Sequence, residues 1–194
     1  EEVISLMPDG TVEDARKAID AAEKAQNQWE RTPSIERAAY LTKIAAGIRK
    51  REKELTDIIV REGGKTQGLA NVEVLFTADY MAGWARRYEG EIIPSDRPHE
   101  NIFLFKRPIG VTTGILPWNF PFFLVARKAA PALITGNTIV IKPSQLTPEN
   151  AYVFAQIVEE AGLPAGVFNL VNGRGSVIGH ELSANPKVGM VSLT

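Results

Sequence analysis

Asn119 stands between two prolines in the run Pro117-Trp118-Asn119-Phe120-Pro121, and Lys142 ends the apolar run Thr138-Ile139-Val140-Ile141 just before Pro143-Ser144. An amide and an ammonium placed where two apolar segments stop suit the binding of an oxyanion and of a dinucleotide. Each proline fixes φ, and Pro121 fits the first turn of a following helix, where a missing N–H costs little. Asn119 is therefore held stiffly. A preorganised amide aimed at a developing oxyanion contributes about 2.7–4 kcal/mol in a transition state; the structural alternative is an asparagine that only caps the helix. Trp118 reads first as a packed wall and second as a stacking platform. Pro143 removes the next ladder donor and turns the chain away, which delivers the Lys142 ammonium to the sheet edge, where it can bond ribose hydroxyls or attract phosphate. The alternative is a solvated strand-end lysine. Gly173-Arg174-Gly175, with Gly179 following, forms a glycine-rich turn into a helix, but it does not follow the first strand of its α/β half and is weak as a phosphate fingerprint.

These residues need elements to carry them. From Thr11 to Trp29 apolar residues recur at Val12, Ala15, Ile19 and Ala22, and Thr11 with Asp14 forms a capping-box pattern. A second helix starts at Pro33-Ser34 with Leu41, Ile44, Ala45 and Ile48 on one face. The charge run Arg49 to Glu54 reads as solvated helix surface and leads into a third helix ending at Gly63-Gly64. A fourth spans about Thr66 to Tyr88. The first ninety residues thus read as helical, with no chemistry visible in them. Glu91 to Gly110 changes character: Ile92-Ile93, a turn-like Pro94 to Pro98, then Ile102-Phe103-Leu104-Phe105 as a strand apolar on both faces. Such a hairpin needs cover, either from a second subunit or from the same chain.

After Gly110 the rhythm is strand, helix, strand: Val111 to Leu116, Phe122 to Ile134, Thr138 to Ile141, Pro148 to Ala161, Val167 to Val171, Ser176 to Ser183 and Val188 to Leu193. Thr147-Pro148 reads as N-cap and first-turn proline. The pattern predicts an α/β fold with an open twisted parallel sheet and right-handed crossovers. Ligands on such sheets bind beyond the C-terminal strand ends, so 117–119, 142–145 and 172–175 are expected to converge on one cleft.

Composition narrows the class. The 194 residues carry 22 Lys and Arg against 23 Asp and Glu, a net charge of −1, which offers no field for nucleic acid or a membrane surface. There is no cysteine, and the two histidines, His99 and His180, are too far apart for a local metal motif, so no metal site is expected. No apolar run approaches bilayer length and no signal segment opens the chain at Glu1-Glu2, which fits a cytoplasmic protein, although the missing initiator methionine points to trimming at the front.

Taken together, Pro117-Trp118-Asn119-Phe120-Pro121, Pro131-Ala132-Leu133 with Gly136-Asn137, Lys142-Pro143-Ser144, Thr147-Pro148, Gly162-Leu163-Pro164 and Gly166-Val167-Phe168-Asn169 resemble the NAD(P)-dependent aldehyde dehydrogenase superfamily over nearly the whole chain. Phe76 to Tyr80, Trp84 to Glu91 and Phe103 to Arg107 look most like its bacterial lactaldehyde and glycolaldehyde dehydrogenases. The resemblance implies a helical part of the cofactor domain at 1–90, a β-hairpin oligomerisation arm at 91–109 serving a dimer or homotetramer, and a Rossmann-like NAD(P)-binding segment at 110–194. It implies oxidation of a small aldehyde to its carboxylate with NAD or NADP: a cysteine adds to the carbonyl, hydride passes to the nicotinamide, and a glutamate-activated water hydrolyses the thioester. Asn119 matches the asparagine that steadies the oxyanion. Ile115, Leu116, Pro117 and Trp118 match the segment along the cofactor; Lys142, with Ser144 and Gln145 after it, matches the lysine on the adenosine ribose, and Gly175 a glycine near the adenine. Lys128 matches a lysine assigned to proton relay, against a surface role. Arg127 matches an arginine found where relatives act on small polar or acidic aldehydes, and a guanidinium can pair a carboxylate bidentately; the alternative faces outward.

Three departures bear on the transfer. Gln145 stands where many NAD-preferring members carry glutamate, so repulsion of a 2′-phosphate is removed. The stretch between Tyr80 and Met81 is shorter than in similar sequences by about one turn. The cysteine and glutamate base are absent from these residues, so the chain alone is expected to be inactive. The alternatives are an acyl-CoA- or acyl-phosphate-linked reductase of the same fold and a non-catalytic nucleotide-binding or assembly module.

Overall fold

The computed structural model describes residues 3–87 and 90–194. Four helices come first: α1 (Val12–Arg31), α2 (Ser34–Lys50), α3 (Glu52–Gly63) and α4 (Gln67–Trp84). A two-stranded ribbon follows, β1 (Glu91–Pro94) and β2 (Asn101–Leu104), and then β3 (Val111–Ile115), α5 (Pro121–Ile134), β4 (Thr138–Lys142), α6 (Glu149–Glu160), β5 (Phe168–Leu170), α7 (Gly175–Ala184) and β6 (Val188–Leu193).

The local signals act as their chemistry dictates. At the start of α1 the Asp14 amide donates to the Thr11 hydroxyl while the Thr11 amide donates to the Asp14 carboxylate, the two halves of a capping box. α3 stops at Gly64, whose φ of 66° takes the left-handed cap that a residue with Cβ disfavours. Several boundaries shift by a residue or two, and the departures at α4 and α6 have a structural reason. α4 ends at Trp84 rather than running on to Tyr88: Ala85 and Arg86 form a turn, and Tyr88 with Glu89, like Glu1 and Glu2, lies outside the described residues. α6 starts at Glu149 with Pro148 at the cap position and no side-chain cap from the loop, and the Thr147 hydroxyl is buried without a partner. The cap comes instead from α3, where Glu62 accepts the amides of Glu149 at 2.6 Å and Asn150 at 3.3 Å.

The main sheet is parallel throughout, in the order β5-β4-β3-β6. Both faces are covered at β3 and β4, while most of β6 is exposed, and successive residues of β4 serve the two faces in turn. Ile139 and Ile141 enter the larger core with α2 to α6, while Val140 joins Ala15, Ile19, Val111, Ile178 and Leu182 under α1 and α7. From β3 the chain moves outward through α5 and α6, then returns through α7 on the other face to lay β6 against the opposite side of β3. The strand order therefore reverses beside β3, which is where an open α/β sheet parts into a crevice.

The ribbon stands apart. β1 and β2 pair from Glu91 with Leu104 to Pro94 with Asn101, and every residue of both is exposed. Of the two covers considered for this hairpin, burial by the described residues of the same chain is not what the structure shows.

Candidate active site

β3 and β4 end side by side, and the Leu116 amide donates across to the Lys142 carbonyl at 3.0 Å. On the other side of β3 the Thr194 amide reaches the Ile115 carbonyl at 3.3 Å. The segment from Leu116 to Phe120 leaves the sheet between these neighbours, and Pro121 opens α5 as its first residue. Asn119 is exposed at this point. It is not the helix cap: Phe120 holds that position with no side-chain cap, and no hydrogen bond to the Asn119 side chain is found among the described residues. Trp118 is 55% exposed, so it is an open aromatic face and not the packed wall that its apolar bulk predicts.

A cleft of about 540 Å³ opens beside Asn119, lined also by Lys65, Leu69, Val72, Glu73, Phe76, Phe120, Phe123, Leu124, Arg127 and Thr194. It combines an apolar wall from α4 with an amide, a guanidinium and a hydroxyl, the mixture that small-molecule sites use. Arg127 is exposed along α5 and also borders a second cavity of about 330 Å³. Arg127 is thus exposed at the border of two cavities, one of them the cleft beside Asn119.

The neighbouring Lys128 is buried. Its ammonium donates to the hydroxyls of Ser192 at 2.9 Å and Thr194 at 2.7 Å, so the surface role is excluded. Burial, and then the charge of Arg127, holds this amine below the usual lysine range. Its stem crosses Gly114, where a Cβ would stand 2.9 Å from the Lys128 Cδ and 2.6 Å from the Ile141 Cδ1. Only glycine leaves that path open.

Lys142 is 5% exposed, which excludes a solvated strand end, and its ammonium bends back to the Pro143 carbonyl at 2.7 Å. Burial pushes its pKa down. One acceptor for three donors leaves two donors without a protein partner among the described residues. Gly175, the first residue of α7, lies beside it: a Cβ there would make ordinary van der Waals contact, 3.9 Å from the Lys142 Cε. The Ser144 hydroxyl accepts the Leu146 amide at 3.2 Å, and Gln145 is exposed. A cationic donor, a glycine and a neutral amide at adjoining strand ends fit a nucleotide laid across the sheet edge.

The predicted residues thus gather at one edge but not in one cavity. Asn119 and Arg127 share the cleft, Lys128 reaches it through the Thr194 hydroxyl, and Lys142 with Gly175 forms a separate group joined to them by the Leu116–Lys142 bond. Lys65, Glu73 and Glu62 went unread. The signal for Glu73 was present, since it is the single charged residue between Lys65 and Asp79 and is flanked by Val72 and Val74. Among the described residues no group of three potential metal ligands forms, and no helix is long and apolar enough to cross a membrane.

An open parallel sheet with its crevice at the strand reversal is the architecture of the doubly wound α/β proteins. The profile of the aldehyde dehydrogenase family matches residues 1–194, and the chain belongs to that family. It is 71% identical over its whole length to lactaldehyde dehydrogenase of Escherichia coli (strain K12), covering 41% of that protein. The likeness first seen in Phe76 to Tyr80 and Phe103 to Arg107 therefore extends along the chain. The crystal structure of lactaldehyde dehydrogenase from Escherichia coli superposes with a TM-score of 0.93, at 71% identity, with 100% of this chain and 41% of that one covered. D-glyceraldehyde dehydrogenase (NADP(+)) of Thermoplasma acidophilum is 41% identical, over 100% of this chain and 40% of its own length. The chain spans about two fifths of the length of the curated relatives it matches.

Proposed function

We propose that this chain supplies the nucleotide-binding sheet and the oxyanion amide of an NAD(P)-dependent aldehyde dehydrogenase that oxidises a small hydroxy- or acid-bearing aldehyde to its carboxylate. The observation that carries the reading is the unpartnered amide of Asn119 beside the Arg127 guanidinium in one cleft, at the strand reversal of the sheet. The Asn119 Nδ2 donates to the oxygen that gains charge as the carbonyl is attacked. The thiol that attacks it in this family is not among these residues, which contain no cysteine. A bound NAD or NADP would supply the hydride acceptor for the oxidation. Lys142 offers its free donors to the ribose hydroxyls, Gly175 lies at the adenine end, and Ile115 to Trp118 with Ser144 border the cofactor. Gln145, being neutral, does not repel a 2′-phosphate, so both dinucleotides are accepted. Lys128, with its lowered pKa, passes a proton to the cleft by way of the Thr194 hydroxyl. The exposed ribbon at 91–109 joins a second copy of the chain, giving a dimer or tetramer.

Steady-state oxidation of lactaldehyde, glycolaldehyde and succinate semialdehyde by the whole protein, with NAD and with NADP, tests the reading. Carboxylate and reduced nicotinamide are expected in equal amounts. Arg127→Met raises KM for the acid-bearing aldehyde roughly tenfold, the size of a hydrogen bond to a charged group, and leaves the hydroxyaldehydes little changed. No oxidation of any of the three, or release of a CoA thioester in place of the acid, sinks the proposal.

A further inference from the structure

Glu73 is buried in the middle of α4, its side chain wholly out of solvent. A buried carboxylate is costly unless it is paired and hydrogen-bonded, and an apolar residue would serve packing alone better, as Ala70 and Val74 do on the same helix. Its bonds all lead to the segment that carries Asn119. Oε1 accepts the amides of Phe122 and Phe123, each at 3.0 Å. Since Pro121 has no N–H, these are the first free donors of α5, and no side chain of the loop caps them. Oε2 accepts the Lys65 ammonium. That ammonium in turn lies 3.9 Å from the centroid of the Phe120 ring, the residue directly after Asn119.

The pair therefore grips the chain just beyond Asn119, by a ring at 120 and by the backbone at 122 and 123. The Asn119 side chain has no bond of its own among the described residues, so its direction is set by whatever fixes its neighbours.

We infer that Lys65 and Glu73 together are positioning residues for Asn119, aiming its amide into the cleft. The inference rests on the aldehyde-oxidising reading above. It is tested in the whole protein with Glu73→Gln, Lys65→Met and Asn119→Ala, singly and in pairs, measuring kcat per active site and the cofactor Kd by fluorescence titration. Each of the first two lowers kcat roughly tenfold to a hundredfold, as small misplacements of reacting groups do, while Kd stays within about twofold. Combined with Asn119→Ala, neither lowers kcat further by more than about twofold, because the group they aim is already gone. A purely structural role would cost the same factor in both backgrounds, and that additive result overturns the inference alone. A wild-type protein that oxidises no aldehyde overturns the functional reading and this inference with it. If Glu73→Gln does not fold, Lys65→Met carries the same cycle, since that side chain retains some solvent exposure.

Discussion

Replacing Asn119 by alanine separates catalysis from stability more cleanly than any other change in the cleft. The side chain is exposed, makes no hydrogen bond among the described residues and does not cap α5, whose first free amides belong to Glu73. Surface changes of that kind fall within about 0.5 kcal/mol, so the melting midpoint should stay where it is. Against this stands the loss of an oxyanion donor, which costs about 2.7–4 kcal/mol, or a hundredfold to a thousandfold in kcat. Asn119→Asp sharpens the comparison. It keeps the size but replaces a donor by a charge of the wrong sign, and two unit charges about 4 Å apart repel by roughly 4 kcal/mol at an effective dielectric near 20. Aspartate is therefore expected to be slower than alanine. The assay is the steady-state rate at saturating aldehyde and cofactor, beside thermal unfolding and cofactor titration of the same preparations. Activity within twofold of wild type in Asn119→Ala, or an aspartate variant faster than the alanine one, refutes the placement of this amide at the oxyanion.

Lys142 should show the reverse balance. Its pKa is lowered by burial, so its stabilising contribution is present only above the ordinary lysine value of 10.5 and is lost as pH falls through the folded-state value. At neutral pH the ammonium is a cost to the unliganded fold, and Lys142→Met should melt no earlier than wild type while its cofactor Kd rises roughly tenfold; an unchanged Kd would remove Lys142 from the nucleotide site. Glu62 makes a different use of a buried charge. Burial raises its pKa above 4.5 despite the bonds from Asn150 and Glu149, so the native state holds a proton that unfolding releases, and stability falls as pH rises from about 4.5 through the raised value. Glu62→Ala removes the acceptor for two amides and the Asn150 side chain and should cost about 1–2 kcal/mol in chemical denaturation, with that segment of pH dependence abolished. A denaturation profile with the same pH slope in both proteins argues against it.

Most of the architecture was legible because periodicity and punctuation agreed. The Thr11–Asp14 box, Gly64 past α3 and the β-branched run before Lys142 each report a local rule that packing does not override. The turn that carries Asn119 was legible for the same reason, since Pro121 opens α5 as its first residue. What escaped were properties set by distant partners. Trp118 looks like core by composition and is open because nothing described covers it, whereas Lys128 looks like surface and is buried because β6 brings Ser192 and Thr194 over it from far along the chain. Lys142 was placed correctly at the sheet edge, but the bend of its ammonium onto Pro143 depends on burial that no spacing reports.

The largest omission was the chemistry of the first ninety residues, and the reason is general to this arrangement. The turns after β3 and β4 open α5 and α6 with Pro121 and Pro148 at or next to the cap position, and neither turn lends a side chain to the exposed amides of its helix. Two carboxylates from the helical layer make up the deficit: Glu73 of α4 serves α5, and Glu62 of α3 serves α6. Each satisfies donors that would otherwise compete for a ligand at the strand ends, and each anchors a functional turn to a body outside the sheet. The amphipathic pattern of these helices accounts for the faces they bury. It is silent about an acid whose partner lies 49 residues away for Glu73 and 87 for Glu62. The N-terminal helices therefore tie down the starts of α5 and α6, the helices that follow the turns after Asn119 and Lys142.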